Sequence, residues 1–210
     1  MLTDSAAQAL SILRDGSLFQ WYLIPLFALV VYVYSVEIER RNWNLVFAGL
    51  AFWGMDWINE IWNSLVLHFS GYAPMWGAPG KTAFLILIGL NIEIMFMFSI
   101  AGIAFGKMLP PDKKLKIFGI PNRLFLAVAN SVFCDIVEIW HNSVGALTWE
   151  WRFWSTSSPI PILLFGYLHF FLISYWVHDM KTVRAKVITV GAIFGVAIFG
   201  LVVFGALGWI

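Results

Sequence analysis

The chain has 210 residues, of which 60% belong to the set AVILMFWYC, 18% are aromatic and only 12% are charged; its mean hydropathy is +0.81. These values exclude a water-soluble single domain. A formal charge of +1 excludes a basic nucleic-acid-binding surface, and the single cysteine, Cys134, excludes an intrachain disulfide or a cysteine-based zinc site.

Residues 1–18 mix polar and apolar positions, lack the basic start and long apolar run of a secretory signal, and predict a short interfacial helix. Apolar stretches follow at about 19–36, 44–67, 83–106, 120–147, 160–178 and 187–209. Each is close to the roughly 20 residues of a helical crossing. The expected fold is therefore an all-α integral membrane protein, a six-helix transmembrane bundle. Alternating the loops between the two sides places ten basic residues (Arg40, Arg41, Lys107, Lys113, Lys114, Lys116, Arg123, Lys181, Arg184, Lys186) on one face, and only Arg14, Lys81 and Arg152 on the other. The positive-inside rule makes the first face cytoplasmic and puts both termini on the non-cytoplasmic side. Trp21, Trp43, Trp76, Trp149, Trp151, Trp154 and Trp209 fall near span ends and are expected to be interfacial anchors.

Five acids interrupt the apolar spans: Asp56 and Glu60 on the second, Glu93 on the third, Asp135 and Glu138 on the fourth. Apart from Arg123 at the start of the fourth span, no Lys or Arg accompanies them, and a charged acid at a helix centre costs roughly 2.5–3.5 kcal/mol on the insertion scale. From the rise of about 1.5 Å per residue, these acids, His141 and His169 share one layer in the outer half of the bilayer. Asp56, Glu60 and Asn63 form one helical stripe, and Ser131, Asp135, Glu138 and Asn142 another. Two such stripes, joined by Asn91 and Glu93 from the third span and His169 from the fifth, predict a buried polar cavity. Helices two and four also share a short likeness, Glu60-Ile-Trp-Asn63-Ser64 beside Glu138-Ile-Trp-His141-Asn142-Ser143. Indoles beside carboxyls suit a developing carbocation, so Trp53, Trp57 and Trp140 join Asn63, Asn91, His141, Asn142 and His169 as expected substrate-binding residues.

Three chemistries are open to such a site. Protonated and ionised carboxyls sharing a buried site can isomerise, cyclise or hydrate an isoprenoid or sterol-like lipid, with no cofactor. Glu138-x-x-His141 is half of a di-iron carboxylate motif, so Glu60, Glu93, Glu138 and His141 define an alternative dinuclear metal site for an oxidase or desaturase. The third is lipid binding or proton-coupled transport without chemistry.

The arrangement resembles the emopamil-binding protein family, also called EXPERA, which includes a sterol isomerase and the sigma-2 receptor. The resemblance rests on Asp56-x-x-x-Glu60, on Glu93 in NIEIMF, on Asp135 in CDIVEIW, on the start of the fifth span at Pro159 to Pro161, and on the acid Asp179 that closes it. Asp56 stands where that family has His, and Gly166 and His169 where it has Asn and Trp. The resemblance implies a five-helix core over residues 19–182 with a membrane-buried pocket, preceded by the 1–18 segment and followed by an additional C-terminal span at 183–210. Fungal integral-membrane terpene cyclases, a lyase class, look similar in logic. The expected activity is a membrane isomerase or cyclase in which Asp56, Glu60, Glu93, Asp135 and Glu138 are the catalytic acids. The Gly191 to Gly195 GxxxG permits a homodimer.

Overall fold

The computed structural model describes residues 1–210 and is mostly helical. Seven helices follow in order: α1 (Asp4–Ser11), α2 (Leu23–Glu39), α3 (Trp43–Ser70), α4 (Ile92–Gly106), α5 (Asn122–Ser143), α6 (Ile162–Asp179) and α7 (Val183–Ala206). The first part of α6, Ile162–Leu168, is wound as a π-helix. Two short antiparallel hairpins precede α4 and α5: β1 (Leu85–Leu87) with β2 (Leu90–Asn91), and β3 (Lys116–Ile117) with β4 (Ile120–Pro121).

The helix α1 forms as the sequence predicts, capped by Thr3, whose Oγ1 accepts from the Ala6 N–H at 3.3 Å. Ala6 and Ala9 are buried against Leu67, Ala78, Leu85, Ile88 and Leu147. This helix thus seals one end of the bundle, the cap end, together with the loops 71–91 and 144–161. The opposite, basic end carries the β3–β4 hairpin and two ion-pair sites. Lys107, just past the end of α4, pairs with Glu37 of α2 at 2.6 Å. Arg123 of α5 grips Asp179 of α6 through bonds of 2.9 and 3.1 Å.

The central helix is α3, with α4, α6 and α7 packed around it. Small residues permit this approach. A Cβ added to Gly102 would lie 2.6 Å from Phe52 Cβ, 2.8 Å from Gly49 Cα and 2.9 Å from the Ala48 carbonyl. Gly102→Ala must push α4 off α3, and is expected to cost about 1–3 kcal/mol as overpacking does. Gly195 has nothing within 4 Å, so Gly195→Ala is expected to leave the unfolding midpoint in detergent unchanged, while Gly102→Ala lowers it. On the other side of α3, Gly54 lies against Ile193 and Phe194 of α7, and Gly200 against Ile61. Gly191 and Gly195 therefore face away from the bundle.

The six expected spans are only partly reproduced. Three helices, α5, α6 and α7, are both long and apolar enough to cross a membrane. The helix α3 has the length, 28 residues, but its acids and amides dilute its hydropathy. The expected span at 83–106 is shortened most. Its first third folds into the β1–β2 hairpin, with Leu85, Leu87, Ile88 and Leu90 all at most 2% exposed, and leaves a helix of 15 residues, about 22 Å long. A continuous apolar run does not distinguish a buried strand from a helix, and here Gly89 and Asn91 decide. Gly89 lies where a Cβ would come within 2.5 Å of Asn63 and Trp76. Asn91 caps α4, its Oδ1 accepting from Ile94 N–H at 2.8 Å.

Candidate functional site

Below the cap, α3, α4, α5 and the π-helical start of α6 enclose a cavity of about 70 Å³, room for a few water molecules. Its polar lining is Asp56, Asn59 and Glu60 from α3, Glu138 and His141 from α5, and Tyr167 from α6. Its apolar lining includes Ile94, Met97 and Phe98 of α4, Phe170 of α6, and Trp76 and Trp154 from the cap loops. Asp56 and Glu60 are each 3% exposed and Glu138 6%. Asp56 Oδ2 and Glu60 Oε2 are enclosed with no hydrogen-bond partner, which few buried polar atoms in folded proteins are.

Each glutamate is held by an indole from the loop that follows its helix. Trp76 Nε1 donates to Glu60 Oε1 at 2.8 Å, and Trp149 Nε1 donates to Glu138 Oε1 at 3.1 Å. The amide one turn beyond each glutamate anchors the same loop. Asn63 accepts from the Met75 and Trp76 N–H groups at 2.7 and 3.3 Å and donates to the Trp76 carbonyl at 2.7 Å. Asn142 donates to the Leu147 carbonyl at 3.2 Å. The two loops are tied together where Gly77 and Thr148 exchange backbone bonds of 3.0 and 2.9 Å. The Glu-Ile-Trp likeness of the two helices is thus matched by a shared local plan of glutamate, indole and loop-anchoring amide. Trp76 and Trp154 stack with ring centroids 5.5 Å apart and form an aromatic roof over the acids.

The cavity opens sideways. Met97, Val137 and His141 line it and remain partly exposed, because α4 and α5 both lean on α6 without packing along each other. Toward the basic end this cleft closes where Phe105 meets Phe133, ring centroids 6.2 Å apart. Phe98 and Tyr167 stack across its inner side at 6.3 Å. The π-helical turn, a feature that recurs at functional sites, presents Gly166 and Tyr167 to the cavity and is tied to α3 by Asn59, which donates to the Phe165 carbonyl at 3.2 Å.

The structure brings together Asp56, Glu60, Glu138 and His141 of the expected set. Asp135 is buried beside the cavity without lining it. Glu93 lies apart, in the first turn of α4 at the cap end, where it accepts from Tyr22, from Thr82 Oγ1 at 2.6 Å and from Ala83 N–H at 2.8 Å. The β1–β2 hairpin moves it there by consuming the start of the expected span. Asn63, Asn91 and Asn142 are structural, bonding loop or helix-cap backbone. Trp53 packs on Phe194 and Trp57 beside Ile61 and Ala197, both on the α7 side of α3. Trp140 points outward, and His169 packs on Phe170 outside the lining. The aromatic residues at the acids are instead Trp76, Trp149 and Trp154, which the sequence reading treats as anchors. Their signal was position: each lies in a loop that directly follows or precedes a helix bearing a buried acid or lining residue. The four residues of the dimetal alternative are not gathered, since Glu93 is outside the cavity, and no three His, Cys, Asp or Glu side chains cluster as ligands. The residues present do not fit that centre.

Residues 3–206 match the profile of an uncharacterized membrane protein family. An uncharacterized protein of Archaeoglobus fulgidus is 57% identical over 186 residues, which cover 89% of this chain and 88% of the relative. A second protein of that organism is 51% identical over 55 residues, 25% of this chain and 98% of the relative. No solved structure matches the chain. With nearly its whole length matched, and with three apolar helices long enough to cross a bilayer, the chain belongs to that membrane protein family.

Proposed function

We propose that this protein is a multi-pass membrane isomerase or cyclase that acts by carboxylic acid–base chemistry on a hydrophobic isoprenoid or sterol-like lipid, without a bound cofactor. The observation that carries the reading is the pair Glu60 and Glu138: two enclosed carboxyls from different helices, each fixed by an indole N–H, lining one aromatic cavity that opens toward the bilayer between α4 and α5. Glu60, whose Oε2 has no partner, donates its proton to an alkene carbon. The faces of Trp76 and Trp154 stabilise the cation that forms. Glu138 as carboxylate then removes a proton from a neighbouring carbon, so one C–H bond forms, another breaks and no electrons leave the lipid. The small cavity volume fits the reacting end of a substrate, with its remainder lying in the cleft. The emopamil-binding resemblance supports the same chemistry through Asp56 and Glu60, and loses the support of Glu93.

Membranes containing the protein, incubated with a linear polyprenol, a polyprenyl diphosphate or a sterol, are expected to convert one of these classes to an isomer, detected by mass spectrometry after chromatography. Conversion is expected to fall about a hundredfold or more in Glu138→Gln. Lipid that co-purifies at stoichiometric level without being converted would replace the enzyme by a binding protein.

The bundle is proposed to cross the membrane six times with both termini outside, α2, α3 and α4 completing the set. A reporter inserted after Asp112 is expected to be cytoplasmic and one fused after Ile210 external. Labelling of the second from the cytoplasmic side would contradict the arrangement. Gly191 and Gly195 leave an outward face on α7 that accommodates a homodimer.

A further inference from the structure

One buried acid has no place in the cavity. Asp135 is 5% exposed, its Oδ1 is enclosed without a hydrogen-bond partner, and it does not join Glu138 in the lining. It precedes Glu138 by three residues on α5, about 4.5 Å nearer the basic end and on the same face. Ionisable groups at such depth are retained where protons or ions move.

The seam between α5 and α6 continues this line. About 7.5 Å further along α5, Asn130 donates to the Tyr175 hydroxyl at 2.7 Å. That hydroxyl accepts through oxygen and still has its own proton to give. Three residues on, His178 Nδ1 lies 2.9 Å from Asp179 Oδ1, and Asp179 with Arg123 reaches the surface of the basic end. On the cap side the titratable group at the cavity is His141, whose Nδ1 lies 2.9 Å from the Val137 carbonyl. The groups directly above Glu60 and Glu138 are the indoles of Trp76 and Trp149, and an indole donates a proton but has no lone pair to accept one.

We infer that Asp135 relays protons between Glu138 and the basic end of the bundle along the α5–α6 seam. In each transfer one O–H bond breaks and one forms. After a turnover, protonated Glu138 gives its proton to the Asp135 carboxylate, which passes it on through water bridging by way of the Tyr175 hydroxyl to the Asp179 carboxylate. Asp135 is on this account a positioning residue that acts through Glu138. The inference rests on the proposed proton chemistry for its purpose, whereas its test reads the carboxyls with no substrate present.

The test is hydrogen–deuterium exchange of the carboxyl carbonyl stretch, followed by infrared spectroscopy on the full chain in lipid nanodiscs, with the bands assigned through Glu60→Gln and Glu138→Gln. Asp135→Asn is expected to slow deuteration of the cavity carboxyl proton held between Glu60 and Glu138 about a hundredfold, the scale of removing a positioned proton-transfer group, and Asp135→Glu to restore it. Tyr175→Phe, which keeps the ring and removes the hydroxyl, is expected to slow it about tenfold, and decides alone should Asp135→Asn fail to fold. Exchange at the wild-type rate in both variants would overturn the relay. Slowed exchange in a protein that converts no lipid would uphold the relay and defeat the enzymatic reading.

Discussion

Glu60→Gln is expected to lower turnover about a hundredfold or more, the range lost when a general acid is removed, with KM little changed. Gln keeps the size of a protonated Glu and an oxygen to accept from Trp76 Nε1 at the 2.8 Å position, so the roof and the cavity shape survive. It cannot give up a proton to carbon. Thermal stability should hold or rise, because an enclosed oxygen with no partner, Oε2, is replaced by a neutral amide. Glu138→Gln should behave alike, since Trp149 donates to whichever oxygen remains. Glu93→Gln provides the contrast. Glu93 binds Tyr22, Thr82 and Ala83 outside the cavity, so amidation should lower the unfolding midpoint and leave kcat near wild type. Normal turnover in Glu60→Gln and Glu138→Gln would leave the two glutamates as helix-joining groups only.

Asn63→Leu is expected to be the most destabilising single change in the cap. Asn63 is fully buried and satisfies three backbone groups of the following loop, the N–H groups of Met75 and Trp76 and the carbonyl of Trp76. Leucine strands all three, and a buried backbone group without a partner costs about 1–3 kcal/mol. The loss should be about 3 kcal/mol or more, read as a lowered midpoint of thermal unfolding in detergent, and Trp76 should be freed from the roof with it. Asn142→Leu removes a single 3.2 Å bond from a half-buried side chain, and about 1 kcal/mol is expected. Equal, small effects of the two changes would contradict the anchoring role given to Asn63.

The helices and three of the cavity acids are legible because long apolar runs and rare charges within them are strong signals, and because Asp56, Glu60 and Glu138 fall on helical stripes that need no tertiary information. The β1–β2 hairpin is not, since LILIGLN offers the same hydrophobicity to a strand as to a helix; the displacement of Glu93 follows from that one error. The roof was missed for a different reason. An indole near a span end suits the interface, and only the pairing of Gly77 with Thr148 folds both loops back over the acids. The α7 side of α3 was misjudged because Trp53 and Trp57 lie within one turn of Asp56, and spacing along a single helix does not say which neighbour each stripe meets.

The most direct test of the central claim is deuterium incorporation into a converted lipid. When the reaction runs in heavy water, a proton that passes from Glu60 to carbon must come from solvent, so the product is predicted to carry one non-exchangeable deuterium per turnover, with the label absent in Glu60→Gln. A product formed at the wild-type rate with no deuterium on carbon would contradict acid–base catalysis by the buried carboxyls.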